Sequence, residues 1–492
     1  MRNKFVEDTY IPKAQRKTIL LLSDDLRMSS GVGTVSRELV INTAQRYSWV
    51  QLAAAISHPD KGKIFDLSQD INNHLAIIDA DVKLYPNNGY GDPDIIRSLM
   101  QMHKIDAIIH YTDPRFWIWL YQIEHEIRQK VPLMFYHVWD DLPYPYYNAS
   151  YYESCDWIGC ISKQSHNIVK NVWTKNSPQE WQTAYIPHGI NHETFFPIVE
   201  SVHINEYKRM QELKQQLFTS AGIKPEFVVL YNNRNIRRKL ATNIVLAFNK
   251  FIMDLPKEKR DTCVLLMHTA PVDENGTDLP AVIAALAPEA KIVFSPNRVS
   301  PVDMNCIYNM CDVVMSMSNA EGFGLGTAEG VMTGRMMIGT VTGGLQDQMR
   351  FEDENGKWIE FNSEFSSNHT GKYKKCAEWA IPLFPDVRSL TGSPLTPFIL
   401  EDYVAWEKGA TALHEVYNLS KEERMKRGQA GRDWMMSEES GMDAYTMAAR
   451  FIKGIDATFA NWKPRKRFTL YNTSEIPEKH KYTGLLEVNH DL

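Results

Sequence analysis

Cysteine is sparse in this chain. Its 492 residues hold six, at 155, 160, 263, 306, 311 and 376, with no C-x2-C pair. That excludes a disulfide framework, and a reduced, cytosolic setting is the expectation. Long apolar runs are also missing. No stretch of about 18 apolar residues occurs, so no membrane-spanning helix is expected. The opening residues, MRNKFVEDTY, contain no apolar core of a leader, so no signal peptide is expected. The sequons Asn148-Ala-Ser150 and Asn275-Gly-Thr277 carry no weight without secretion. An excess of positive charge is absent too. Lys and Arg number 54 against 60 Asp and Glu, a net charge of −6. No global basic field therefore draws the chain to nucleic acid or anionic lipid, although a local patch stays open.

What is present is globular. Hydrophobic residues make up 43% and charged residues 23%, both ordinary values. The length exceeds what one core supports, so two or three domains are expected.

The most informative stretch is 313–344, VVMSMSNAEGFGLGTAEGVMTGRMMIGTVTGG. It reads as a strand over 313–317, a glycine-rich loop over 318–326 and a helix from Thr327. A second strand over 337–341 ends in a Gly343-Gly344 turn. Glu321 and Glu329 bracket the loop, with Gly322, Phe323, Gly324, Leu325 and Gly326 between them. Glycines let the backbone turn tightly and bring N–H groups close to a ligand. A loop of that kind opening into a helix suits a phosphate or diphosphate. The flanking carboxylates can accept hydrogen bonds from hydroxyls at either end of a ligand whose middle is anionic. A nucleotide-sugar has that layout. The bland alternative is a buried strand–loop–helix with two incidental acids.

The rest of the chain reads as α/β. Residues 17–23 form a buried strand, followed by a loop carrying Gly31 and Gly33 and a helix over 34–46. Gly31-Val-Gly33 lacks the third glycine of a dinucleotide fingerprint, so it reads as a cleft-lining loop. Further strands are predicted at 49–55, 75–79, 107–111, 133–136 and 155–162, the last closing the first domain. Strands alternating with helices imply a doubly wound sheet. Asp79-Ala-Asp81 is an isolated D-x-D tripeptide, and nothing around it demands a metal. His137 follows a strand end, where ligands of open α/β sheets bind, so it is a candidate cleft residue or else a capping histidine. The tyrosine-dense segment 143–152 is either a packed surface loop or a stacking surface.

A helix over 205–219 precedes a second strand series at 227–231, 264–268 and 291–295, with a helix over 304–310. Arg234, Arg237, Arg238 and Lys239 follow the first of these strands and precede a helix, an arrangement suited to a diphosphate. Helices are expected at 402–417, 420–438 and 444–459. The tail holds a basic cluster, Lys463-Pro-Arg465-Lys466-Arg467.

Glu321 to Glu329 resembles the E-x7-E signature of retaining glycosyltransferases of GT-B fold, especially glycosyltransferase family 4 and its glycogen-synthase relatives. Gly343-Gly344-Leu345-Gln346-Asp347 resembles the G-G-L-x-D turn of glycogen synthases. Tyr185-Ile-Pro-His188-Gly189 is similar to the run at which that family's chain crosses between domains. The resemblance implies two Rossmann-like domains facing across a cleft, with a terminal helix returning to the first. It implies boundaries of 1–197 (acceptor domain), 198–445 (donor domain) and 446–492 (crossover helix and basic tail). On that likeness Glu321 contacts the donor sugar and Glu329 the ribose. Arg234 and Lys239 match the family's R-x4-K pair on the diphosphate, with Arg237 and Arg238 as alternatives or solvent-facing residues. Gly31 and Gly33 approach the donor phosphates, His137 stands near the sugar, and His268 and Ser295 are candidates at the base. Residues 350–396 exceed the family's pattern; their structure is left unread and a role in shaping the acceptor site is open.

The expected activity is therefore retaining, metal-independent transfer from a nucleotide-sugar such as a UDP-sugar. No cofactor or metal is expected beyond that co-substrate. A glycan or lipid-linked glycan is the preferred acceptor, and a modified nucleic-acid base the alternative. The 463–467 cluster would suit DNA or anionic lipid headgroups, so peripheral membrane contact stays open. A glycoside hydrolase is ranked lower, because eight helical residues span about 12 Å, beyond the roughly 5–9.5 Å separating hydrolase carboxylates. A non-catalytic nucleotide-sugar-binding module is the remaining alternative.

Overall fold

The computed structural model describes residues 2–174, 177–219, 222–361 and 370–466. Two sheets organise them. The first contains β1 (Lys17–Asp24), β2 (Tyr47–Ala55), β3 (Phe65–Asp66), β4 (Val82–Asn88), β5 (Ala107–Tyr111), β6 (Leu133–His137), β7 (Trp157–Cys160) and β8 (Thr183–Tyr185). Their order is β3-β4-β2-β1-β5-β6-β7-β8. All pairs are parallel except the two-residue β3 against β4. The second sheet contains β9 (Phe227–Asn232), β10 (Cys263–His268), β11 (Ile292–Phe294), β12 (Val313–Ser316), β13 (Met336–Thr340) and β14 (Ala380–Leu383). It is parallel throughout, in the order β11-β10-β9-β12-β13-β14. A separate antiparallel hairpin joins β15 (Val387–Ser393) to β16 (Thr396–Tyr403).

Parallel strands covered on both faces must be apolar on both faces. Ile19 to Leu22 and Val264 to Met267 meet that demand, each residue fully buried. Strand order reverses between β1 and β5 in the first sheet and between β9 and β12 in the second. Crevices open outside the carboxyl ends of strands at such reversals. The loops after β1, β9 and β12 are the ones singled out above by their glycines, cations and carboxylates.

The terminal helix Ala444–Asn461 returns to the first sheet. Phe451 lies against Tyr136 with ring centroids 4.8 Å apart. The Tyr47 hydroxyl donates to Asp456 Oδ1 at 2.7 Å. A Cβ on Gly454 would lie 2.4 Å from the Trp157 ring, so only glycine lets this helix sit so close.

Several local readings need correction. Residues 75–79 are not a strand. The helix Ser68–Leu75 takes the start of that run and ends at Ala76 in the left-handed region. The strand beside β2 is β4, which contains Pro86. Proline is tolerated there because β3 pairs only with Lys83 and Leu84, leaving that edge of Pro86 without a ladder partner. β8, rather than the 155–162 segment, is the last strand of the first sheet. The first glycine helix spans Gly31–Ile41 instead of 34–46, because Ser30 caps it by accepting from the Gly33 amide at 2.9 Å. Residues 402–403 end a strand, and the helix begins at Trp406. No described helix is long and apolar enough to cross a membrane.

Candidate active site

The loop after β12 carries Glu321 toward the loop after β9. Lys239 Nζ forms a direct ion pair with Glu321 Oε2. Arg238 Nη1 stands 3.9 Å from the same oxygen and donates to the Ala320 carbonyl at 2.8 Å. Burial pulls Glu321 upward, but the Lys239 and Arg238 charges outweigh it and hold the carboxyl below its ordinary range. Burial draws Lys239 down to about 8 against the pull of Glu321. Both members are charged at neutral pH.

Two helix N-termini converge here. The helix Leu325–Met332 starts from Gly324, whose φ of +89° favours glycine. From the first sheet, the helix Gly31–Ile41 brings Gly31 against it: a Cβ there would lie 3.2 Å from Leu325 Cδ1. Gly33 packs on its own loop, where a Cβ would lie 2.7 Å from the Asp25 carbonyl. Facing N-termini concentrate unpaired N–H groups and positive dipole ends. The G-G-L-x-D turn buttresses the loop. Gly344 N donates to the Glu321 carbonyl at 2.9 Å, and a Cβ on Gly343 would lie 1.9 Å from that carbonyl. Asp347 ties the turn to the first sheet's helices, accepting from the Lys163 amide at 2.9 Å.

Glu329 lies one helical turn on and accepts from the Tyr308 hydroxyl at 2.7 Å. Burial pushes its carboxyl up to about 7, against the Tyr308 hydrogen bond and the Arg37 charge. From its ordinary value of 4.5 to about 7, the folded chain holds a proton that the unfolded chain has released. Stability therefore falls as pH rises through that window. Denaturant unfolding at pH 5 and pH 7 should show a smaller drop in Glu329→Gln than in wild type. Equal drops would contradict this protonation.

Other candidates lie elsewhere. His137 is fully buried and does not face the cleft. Its Nε2 meets the Tyr152 hydroxyl at 2.8 Å, and its ring stands on Phe135. Alternation along β6 decides this: His137 shares the face of Phe135, and burial draws it down to about 3. Arg234 is also apart, 71% exposed with Nη2 3.5 Å from Asp273. Arg237 is exposed. His268 Nδ1 and Ser295 Oγ are brought together at 3.1 Å.

Arg238, given in the sequence only as an alternative, stands beside Lys239 at Glu321. Two further residues were not anticipated. His188 packs edge-on to the buried Phe323 ring at 5.0 Å, held by the Tyr136 hydroxyl at 2.8 Å on Nδ1. It stands in the Ile186-Pro-His188-Gly189 run, whose sequence suggested only a crossing between domains. Asp140, three residues past His137, reaches the donor loop from the first sheet. A Cβ on Gly343 would lie 3.3 Å from its Oδ2. Burial pushes Asp140 up to about 6 and Glu321 adds to this, while Arg238 and Lys239 oppose.

The acidic and basic runs resolve into ion pairs. Asp79 holds Arg16 at 2.6 Å, and Asp81 holds Lys83 at 2.8 Å and Lys13 at 3.4 Å. In the tail, Arg465 pairs with Glu124 at 3.4 Å while Lys463 and Lys466 are exposed. Arg467 lies outside the described residues, as does residue range 362–369 of the 350–396 insert.

Solved structures match this arrangement of two sheets. Sucrose-phosphate synthase from Thermosynechococcus elongatus is 15% identical with a TM-score of 0.62, covering 90% of this chain and 100% of its own. Anabaena Alr3699/HepE, solved in complex with UDP and glucose, is 13% identical with a TM-score of 0.58, over 90% of this chain and 100% of its own. A glycosyltransferase from Rickettsia africae is 14% identical at 0.59, over 91% and 100%. The fold is GT-B. No family model matches the chain, and no curated protein matches its sequence.

Proposed function

We propose that this chain is a glycosyltransferase that moves a sugar from a nucleotide-sugar onto an acceptor with retention of configuration. The UDP held by HepE supports a UDP-sugar as the donor. The observation that carries this reading is the Glu321–Lys239–Arg238 cluster on the loop that opens the helix at Leu325, at a strand-order reversal. Lys239, Arg238 and the loop N–H groups would bear the diphosphate, with Arg234 on the same loop as a further proposed ligand. Glu321 would accept from sugar hydroxyls and Glu329 from the ribose. The acceptor oxygen bonds to C1 of the sugar as the C1–O bond to the diphosphate breaks, and the acceptor proton passes to the departing phosphate. Charge on that phosphate is what the cations stabilise in the transition state. Asp140, on the opposite wall, would orient the acceptor hydroxyl. His137, by its burial, would act only through packing.

The division at 1–197, 198–445 and 446–492 goes with this reading, the first unit holding the acceptor and the second the donor. A glycan or lipid-linked glycan fits better than DNA. Asp140 stands on the acceptor wall, where its carboxylate would repel a phosphate backbone, and the nearby Arg115 is already held by Asp113 at 2.6 Å. A cytosolic setting goes with this reading and with cysteines that are free thiols.

Titration with UDP followed by product analysis on a donor panel tests the activity, and NMR of the new anomeric centre tests retention. Turnover is expected to persist in EDTA, because the cations already supply positive charge at the diphosphate. Loss in EDTA with rescue by Mg²⁺ or Mn²⁺ would overturn that part of the mechanism.

A further inference from the structure

The hairpin β15–β16 begins in the segment the sequence left unread, and it joins the two sides of the cleft. At its base it belongs to the second domain. Asp402 is fully buried and accepts from Thr342 Oγ1 at 2.8 Å, and its amide donates to the Asn319 carbonyl at 2.9 Å. Asn319 stands two residues before Glu321, and Thr342 one residue before Gly343. The base is thus bound to both segments that shape the donor loop.

Farther along β16 the hairpin rests on the first domain. Leu400 N donates to the Leu142 carbonyl at 2.6 Å. The Tyr147 hydroxyl donates to the Phe398 carbonyl at 2.9 Å, and the two rings meet edge to face at 5.0 Å. Ile399 and Leu400 pack against the first domain's core. The landing points, Leu142 and Tyr147, closely follow Asp140 and Asp141.

We propose that this hairpin is a strap across the cleft that controls entry to the acceptor side of the site. The inference rests on the glycosyltransfer reading above. Among the described residues its first-domain contacts include the Leu400 and Tyr147 hydrogen bonds and a small apolar patch, whereas its base is fixed by a buried carboxylate. Undocking therefore opens the wall beside Asp141, which faces Glu401 and Asp402 of the strap, while the Asp402 anchor to Thr342 and Asn319 holds. When docked, the strap keeps water away from the sugar's C1, since an acceptor is admitted only when the strap yields.

The test uses the full chain and a Tyr147→Phe/Phe398→Ala double variant, with thermal melting to verify folding. Amide exchange is followed across 396–403, and hydrolysis of UDP-glucose is followed by UDP release. In hydrolysis the water oxygen bonds to C1 while the C1–O bond to UDP breaks, and one water proton passes to UDP. The double variant should exchange at least tenfold faster at Leu400 and hydrolyse UDP-glucose at least fivefold faster, with its UDP Kd within twofold of wild type. Unchanged exchange overturns the strap itself. Faster exchange with unchanged hydrolysis overturns its control of entry. A wild-type chain that neither binds UDP nor hydrolyses UDP-glucose overturns the underlying glycosyltransfer reading, and the exchange data separate that failure from failure of the strap.

Discussion

Lys239→Ala should lower kcat/KM for the donor by about 10²–10³-fold, or roughly 2.7–4 kcal/mol of transition-state stabilisation. Its ammonium is buried against Glu321, on the loop that opens the helix at Leu325, where a charge acts with little screening. The same change leaves Glu321 buried beside only the half-exposed Arg238, so some stability is lost as well. Removing one partner of a buried pair typically costs about 3–5 kcal/mol. A Lys239→Met/Glu321→Gln pair separates the two effects. It should recover much of the melting temperature and none of the activity. Arg234→Ala should cost less than Lys239→Ala, because its side chain is mostly in solvent and pairs loosely with Asp273. Wild-type donor kinetics in purified Lys239→Ala would remove the diphosphate role from this cluster.

Asp140→Asn should lower transfer by about 10²-fold, the size of loss that misplacing a reacting group causes. UDP affinity should change less than threefold. The carboxylate reaches the donor loop from the opposite domain, so it can act on the acceptor without holding the nucleotide. The wild-type rate should also fall below about pH 6, where Asp140 takes up a proton. This acidic limb should vanish in Asp140→Asn. An equal loss of UDP affinity and transfer would instead mark Asp140 as part of the donor site. His137→Ala, by contrast, should act through stability, since it would leave the Tyr152 hydroxyl without its 2.8 Å partner.

Much of the architecture was legible because it is written locally. Short apolar runs separated by glycine loops and helical segments announce buried parallel strands, and β1, β2, β5, β6, β9, β10, β12 and β13 all arise from such runs. The strand–loop–helix carrying Glu321 and Glu329 was equally legible. Glu321 and Glu329 are placed by a loop and a helix start that glycines at 322, 324 and 326 make necessary. The strand at 82–88 was obscured because Pro86 argues against a strand unless no neighbouring strand needs its missing N–H.

The sequence by itself thus determined the kind of fold, the loop that carries the carboxylates and the cation run that answers them. Tertiary structure alone decided which cation meets which carboxylate. Arg234, Arg237, Arg238 and Lys239 share one loop, and a turn of backbone sends two of them to Glu321 and the other two to solvent. It also decided that Asp140, in the loop beyond β6, reaches the Gly343 turn, whereas His137 shares the Phe135 face of the strand and is buried against Tyr152. The span of the hairpin from Asp402 to Tyr147 was likewise invisible in the sequence. Its partners lie some 250 residues apart along the chain, and no local pattern encodes a contact between segments that meet only when both sheets have formed.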